Sequence, residues 1–334
     1  MSGPIVLSIE TSCDETAAAV LDGGKLLSSC VSSQTLIHRE FGGVVPEVAS
    51  RNHLCKIEPL INQALHGAKI RVQQIDCVAA TRGPGLLTSL LVGYSFGKGL
   101  AIGLNRPFVG VNHIEAHLLS PFFGTERGLE RCIGLVVSGG HTLLVLVDGV
   151  GEYKVLGGTV DDAAGEAFDK VAKLLGLPYP GGPQIDAIAP RGDPNGYDLP
   201  RPMVGRQDFN FSFSGIKTAV RYLLPKLQGD YVADVAASFQ EAVVDILVRK
   251  TMAAAAELQI DLITVSGGVS CNSRLRQRMG EVAHRGGKRL LLAQPDLTTD
   301  NAAMIGYVAV HRFRENVGTD LALDADPNLT LANI

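Results

Sequence analysis

The chain has 334 residues, of which 46% are hydrophobic and 19% charged, and its formal net charge is −4. That is enough material for two lobes with filled cores, and it excludes a disordered or fibrous protein. The negative balance argues against nonspecific coating of nucleic acid while leaving room for a local basic patch.

In chain order, the apolar run IVLSIE (5–10) predicts a strand, TSCDE (11–15) a polar turn, and TAAAVLD (16–22) and KLLSSCVSS (25–33) two more strands. A helix follows from about Pro46 to His66, with proline in its first turn. Strand IDCVAA (75–80), the apolar run 86–104, strand PFVGV (107–111) and a short helix carrying HIEAH (113–117) complete this half. The run 86–104 is broken by Ser, Gly and Lys98, so it reads as a buried helix and not a membrane span. The segment GTERGLE (124–130) is the expected crossing between lobes.

The second half repeats the grammar. CIGLVVS, the turn GGH, TLLVLVD and YKVLGGT read as three strands, followed by a helix over 163–176. Residues 177–216, rich in Pro, Gly and Asp, read as an irregular functional loop. A helix over 232–258, strand DLITVS, a helix from 270, strand KRLLLA and a last helix from about Thr299 follow. A three-strand meander followed by alternating helices and strands, seen twice, predicts two duplicated α/β lobes around a central cleft. The boundaries expected are 1–126 for the N-terminal lobe, with 300–334 packing back on it, and 127–299 for the C-terminal lobe. The start of the chain has no basic region before an apolar one, so no secretory signal is expected. Six scattered cysteines without a CxxC pair point to a reduced, cytoplasmic protein.

Four glycine- or acid-bearing turns fall at strand ends, where α/β folds place ligands. They are TSCDE, SGGHT (138–142), TRGPGL (81–86) and SGGVSCN (266–272). Glycines allow close backbone approach, and a helix N-terminus favours an anion. Each is common alone; four in matching places point to a nucleotide-like ligand. None is a P-loop, because no Gly-Lys-Ser/Thr follows. Asp161 and Asp162 have capping of the helix that follows them as their simplest account, and Thr-Asp-Asn at 299–301 likewise. Asp169 falls mid-helix, facing either solvent or a cleft.

His113 and His117 share one helix face at i, i+4, a spacing that suits a metal ion, and Asp300 at a strand end is the expected third ligand. Zinc proteases place an acid directly after their first histidine. Here Glu115 sits two residues on, roughly 200° around the helix, so a protease reading lacks its general base. Arg274, Arg278 and Arg285 form a helix stripe that is either a solvated face or a contact for nucleic acid.

Taken together, ETSCDET, GGVVPE, HIEAH, SGGHT, DDAAGEAFDK, LLGLPYPGGP, FSFSGIKT, SGGV with Asn272, and TTDNAAM resemble the bacterial TsaD family of tRNA N6-adenosine threonylcarbamoyltransferases. The likeness runs from about Val6 to the chain end. TRGPG and the Ser-Cys pair before Asn272 depart from the pattern without touching a matched ligand position. The resemblance implies two ribonuclease-H-like lobes of the actin, Hsp70 and sugar-kinase architecture. It implies a metal, iron(II) or else zinc, on His113, His117 and Asp300. It also implies threonylcarbamoyl-AMP on Val137, Ser138, Gly139, Gly140, His141, Asp169, Gly182, Asp186 and Asn272, with Asp14 and Glu15 in the same cleft, one of them serving as base. Implied partners are tRNA, a TsaB-like paralogue and a TsaE-like ATPase, with no membrane. The expected reaction carries threonylcarbamoyl to N6 of the adenosine adjacent to the anticodon in tRNAs reading codons that start with A. An ATPase or kinase of the same fold, or a noncatalytic subunit of a tRNA-modification complex, is the alternative.

Overall fold

The structure is a computed structural model that describes residues 3–125 and 128–333. Its first elements are β1 (Ile5–Glu10), β2 (Glu15–Asp22), β3 (Lys25–Ser33), α1 (Thr35–Arg39), α2 (Pro46–Ala68), β4 (Cys77–Gly83), α3 (Leu87–Leu104), β5 (Phe108–Asn112) and α4 (His113–Leu119). Then come β6 (Cys132–Val137), β7 (Thr142–Gly149), β8 (Glu152–Gly158), α5 (Ala164–Leu174), α6 (Gly181–Ile188) and α7 (Ser214–Leu223). The chain closes with α8 (Val232–Glu257), β9 (Leu262–Ser266), α9 (Ser273–Arg285), β10 (Arg289–Leu292) and α10 (Ala302–Arg314). Two compact units result: Met1–Leu129 with Thr299–Ile334, and Glu130–Thr298. The expected crossing at 124–130 includes residues 126 and 127, which lie outside the described residues.

In the first unit the sheet order is β3-β2-β1-β4-β5, with β1 to β3 an antiparallel meander and β4 and β5 parallel to β1. Residues 6 to 10 of β1 are all buried, because helices cover both sheet faces; hence the near-continuous apolar run. Alternation still sorts the side chains. Leu7 and Ile9 join Ile57 and Ile61 of α2 and Tyr94 of α3 in one core. Ser8 faces the other way, and its Oγ donates to the carbonyl of Ala302 at 2.7 Å. Gly306 lets α10 sit this close, since a Cβ there would lie 2.3 Å from the Leu21 side chain. At period 2, Glu10 shares the face of Ser8, the one covered by α10.

The second unit repeats this plan. Its sheet, read from the other edge, is β8-β7-β6-β9-β10, with β6 to β8 antiparallel and β9 and β10 parallel. Ile133, Leu135 and Val137 of β6 pack with Phe168 of α5 and Phe239 of α8, whose rings meet edge-on at 5.1 Å.

The segment 177–216 is less irregular than expected. It holds α6 and a 3-10 turn at Ala189–Arg191, and α7 starts at its end. Gly181, Gly182 and Pro183 open α6, where a missing N–H costs nothing, so a legitimate helix start looked like loop. Two helix starts also move. A 3-10 turn fills Gly268–Cys271, and α9 begins at Ser273 behind the Asn272 cap; α10 begins at Ala302 behind the Asn301 cap. Nor is α3 buried all round. Ser89, Leu90, Gly93, Tyr94, Gly97 and Ala101 are covered, while Leu91 and Ile102 are exposed. An apolar sequence on every side of this helix hid its sidedness. Among the described residues it is the one helix long and apolar enough to cross a membrane.

Candidate functional site

Strand β5 delivers the chain straight into α4. The Asn112 side chain caps that helix by accepting from the N–H groups of Ile114 and Glu115 at 2.9 and 3.2 Å. His113 is therefore the first helical residue, and His117 lies one turn on, with ring centroids 4.7 Å apart. Asp300 precedes the Asn301 cap of α10, so its carboxylate is not spent on capping as the simplest account had it. Its Oδ1 lies 3.0 Å from Nε2 of His117 and 3.4 Å from Nε2 of His113. One donor atom from each of the three residues falls within 4.8 Å of the other two, and both histidines are buried. Two imidazole nitrogens and one carboxylate oxygen are the donor set of zinc or iron(II), and three protein ligands leave a position open for a substrate oxygen. The residues fit a divalent ion.

The charges around this centre are balanced tightly. Burial alone would depress the His113 imidazole, but the carboxylates of Asp300 and Glu10 hold its proton well above the usual histidine range. His117 goes the other way, because burial dominates. Burial works to raise Asp300, and the His113 charge overrides it and holds the carboxyl well below its ordinary range. Glu115 stands apart: it is buried, and its Oε2 accepts from Arg312 of α10 at 2.7 Å.

Asp14 ends the polar turn after β1, and Glu15 opens β2. The Cys13 carbonyl in that turn meets Nε2 of buried His53 at 2.9 Å. Ser33 donates to Glu15 Oε1 at 3.0 Å. Burial first, then the negative charges of Asp300 and Asp14, push the Glu15 carboxyl up to about 9. Both causes favour the protonated form of Glu15 in the metal-free chain.

In the second unit the remaining candidates gather at the C-terminal ends of β6 and β9. The 138–141 turn closes with Ser138 N–H donating to the His141 carbonyl at 2.8 Å. Gly139 and Gly140 have open space where a Cβ would stand. The start of α5 lies against the turn: a Cβ on Gly165 would come within 2.6 Å of the Ser138 carbonyl oxygen. Gly267, at φ +87°, packs on Val137 in the same way. Asp169 accepts from the Gly181 N–H at 2.7 Å and so ties α5 to the start of α6, where Gly182 follows. Asp186 of α6 accepts from the Ser273 N–H at 3.1 Å and from its hydroxyl at 2.8 Å. The anion expected at the α9 N-terminus is thus supplied by the protein itself. Asn272 caps α9 through the Leu275 N–H at 2.9 Å and donates to Gln240 at 2.7 Å. Bonds from Gly165 to Ser138, Gly181 to Asp169 and Ser273 to Asp186 link the turn, α5, α6 and the start of α9, the elements that carry these candidates.

Two sequence readings need correction. Asp161 does not cap α5; its carboxylate accepts from the N–H groups of Phe213 and Ser214 at 2.8 and 3.2 Å, holding the start of α7. The arginine stripe is partly committed: Arg274 makes a two-pronged pair with Glu241 at 2.6 and 3.0 Å, and Arg278 meets Glu281 at 3.4 Å. Glu10, Thr81, Gly165 and Gln240 were missed. The available signal for Glu10 was an acid ending an apolar strand.

A profile described as TsaD, tRNA N6-adenosine threonylcarbamoyltransferase, matches residues 25–307. Proteins of that name are 48% identical over 329 residues in Thermosipho africanus, 52% over 327 in Thermotoga neapolitana, and 51% over 331 in Geobacter sulfurreducens. Each alignment covers 98% of this chain and 100%, 99% and 97% of the relative respectively. Among solved structures, full-length HypF in a phosphate- and nucleotide-bound form has a TM-score of 0.65 at 14% identity, over 95% of this chain and 47% of its own. Component A of the (R)-2-hydroxyglutaryl-CoA dehydratase of Acidaminococcus fermentans has a TM-score of 0.56 at 14% identity, over 93% and 99%. These structural likenesses agree with the duplicated ribonuclease-H-like fold.

Proposed function

The chain belongs to the tRNA N6-adenosine threonylcarbamoyltransferase family and is a tRNA-modifying transferase; from that premise we propose a specific donor, acceptor and set of working residues. The donor is threonylcarbamoyl-AMP, and the acceptor is the N6 amine of the adenosine beside the anticodon in tRNAs reading codons that start with A. The observation that carries this reading is the centre of buried His113 and His117 with Asp300, in a chain that matches the family over nearly its whole length.

The chemistry asks little covalent work of the protein. The donor is a mixed anhydride with AMP as a good leaving group, so the amine can attack the carbamoyl carbon directly and expel AMP. Adenine N6 is a weak nucleophile, and positioning and proton removal carry the catalysis. We assign Val137–His141, Asp169, Gly182, Asp186 and Asn272 to the donor. Open Gly139 and Gly140 leave room for its phosphate to approach backbone N–H groups. Asp169 and Asp186 hold α6, and with it Gly182, in place for the same ligand. Asp14 is the assigned base; Glu15 joins it only when its proton is lost. A divalent ion, iron(II) or zinc, bound on His113, His117 and Asp300 supplies a Lewis acid for a donor oxygen.

We assign the exposed apolar face of α2 and α3, where Leu54 and Leu91 border a groove of about 460 Å³, to a TsaB-like paralogue. A TsaE-like ATPase completes the set, and six free cysteines agree with a cytoplasmic site of action. The test is reconstitution with purified threonylcarbamoyl-AMP and unmodified tRNA, followed by nucleoside analysis. Threonylcarbamoyladenosine at the position beside the anticodon is expected. Rapid ATP turnover by the chain alone, with no modified nucleoside, would favour a kinase or ATPase instead.

A further inference from the structure

Glu10 is a fully buried carboxylate at the end of β1, and each of its oxygens is occupied. Oε1 accepts from the Ser12 N–H at 2.5 Å, and Oε2 accepts from the Thr81 hydroxyl at 2.7 Å. Oε2 also lies 3.0 Å from Nδ1 of His113, nearer than the Ser12 hydroxyl at 3.3 Å. The opposite nitrogen of that ring, Nε2, faces Asp300. His117 has no such support: its Nδ1 is buried without a hydrogen-bond partner among the described residues.

We propose that Glu10, itself aimed by Thr81 and the Ser12 N–H, is a positioning residue that accepts the Nδ1 proton of His113 and so presents Nε2 as a metal ligand. The proposal rests on the metal reading above. Histidine ligands commonly donate their second N–H to a carboxylate, which selects the tautomer and orients the ring. The strand register makes this possible here. Glu10 falls on the β1 face of Ser8, the face covered by α10, so it and Asp300 reach the same imidazole from two sides.

Glu10→Gln tests the idea sharply, because the Ser12 backbone can only donate. The Gln oxygen must turn to Ser12, leaving its amide N–H₂ toward His113 Nδ1. That nitrogen must then accept, and the ring proton moves to Nε2, where it blocks the ligand. Zinc affinity of the full-length chain, measured by competition with a chelator, should fall about 10–100-fold in Glu10→Gln. Thr81→Val, which only frees the carboxylate to swing, should show a smaller loss in the same direction. In zinc-loaded wild type the long-range 1H–15N spectrum should place the His113 proton on Nδ1. A purely structural role for Glu10 would lower the melting temperature and leave affinity and spectrum unmoved. Wild-type affinity in folded Glu10→Gln overturns the proposal; if that variant does not fold, wild-type affinity in Thr81→Val does so. Should wild type bind zinc no better than His113→Ala, the metal reading itself falls, whatever Glu10 does.

Discussion

The two units carry one strand order, yet their working surfaces are made of different material. In the first, the ends of β1 and β5 lead to the buried ionisable groups Glu10, His113 and His117, joined by half-buried Asp300. In the second, the ends of β6 and β9 lead to glycines, backbone N–H groups and short polar caps such as Asn272. Buried charge in a low-dielectric setting suits a cation and cannot be rearranged cheaply. A glycine turn suits a neutral or anionic ligand that must lie against the backbone. On the assignments proposed above one topology would serve two chemistries, and substitutions should separate them.

The largest effect is expected at His113→Ala or Asp300→Ala. Loss of a ligand should cost more than loss of its support, so transferase activity should fall at least roughly 100-fold together with bound metal. Metal analysis beside the nucleoside assay checks that the two losses coincide. Glu115→Gln should split them. It leaves Arg312 half-partnered in the interior, so unfolding by denaturant should show about 2–3 kcal/mol of destabilisation, more than a solvent-facing acid would give. Metal content and turnover of the folded fraction should persist. If turnover vanishes while metal stays, Glu115 belongs to the chemistry.

The matching test in the second unit is Gly165→Ala. The new methyl must displace the Ser138 carbonyl and the turn it belongs to. The KM for donor should rise about tenfold, worth roughly 1.4 kcal/mol, with zinc affinity unchanged. A change in zinc affinity would show that the two surfaces are not independent. Glu15 gives an effect that appears only as the pH is changed. Its carboxyl is raised to about 9 in the folded chain, from an ordinary value of 4.5. The folded state thus binds the proton more tightly, and stability is lost as pH rises between those values. Metal-free protein should lose up to about 1.4 kcal/mol per pH unit there, and Glu15→Gln should flatten the profile. The smallest effect is expected at Arg278→Glu: tRNA affinity should weaken, and its salt dependence should lose about one unit of slope. An unchanged slope would leave the stripe a solvated face.

Much of this was legible in advance. Apolar runs bounded by TSCDE and SGGHT marked the paired meanders, and the i, i+4 histidines marked two of the three residues that the fold brings together as a candidate metal site. What stayed hidden depended on partners distant in sequence. Asp161 looked like a cap for the adjacent α5, but its partners are Phe213 and Ser214, some fifty residues on. Arg274 looked solvent-facing until α8 brought Glu241 beside it. Helix α6 was masked by Gly181, Gly182 and Pro183, residues that usually punctuate loops but are tolerated in a first turn. Glu10 could be placed on a strand, but only the register shows which face it shares with Ser8 and hence which imidazole it meets.

Asp300 stands 183 residues from His117, just ahead of the helix that covers one face of the first sheet. During synthesis that sheet is assembled early, but its cover and its third ligand are made nearly last. The contiguous segment Glu130–Thr298 has everything it needs to fold while the earlier unit waits. The unit that is first off the ribosome is therefore the last to be finished, and the donor set of His113, His117 and Asp300 is complete only once translation has passed residue 300.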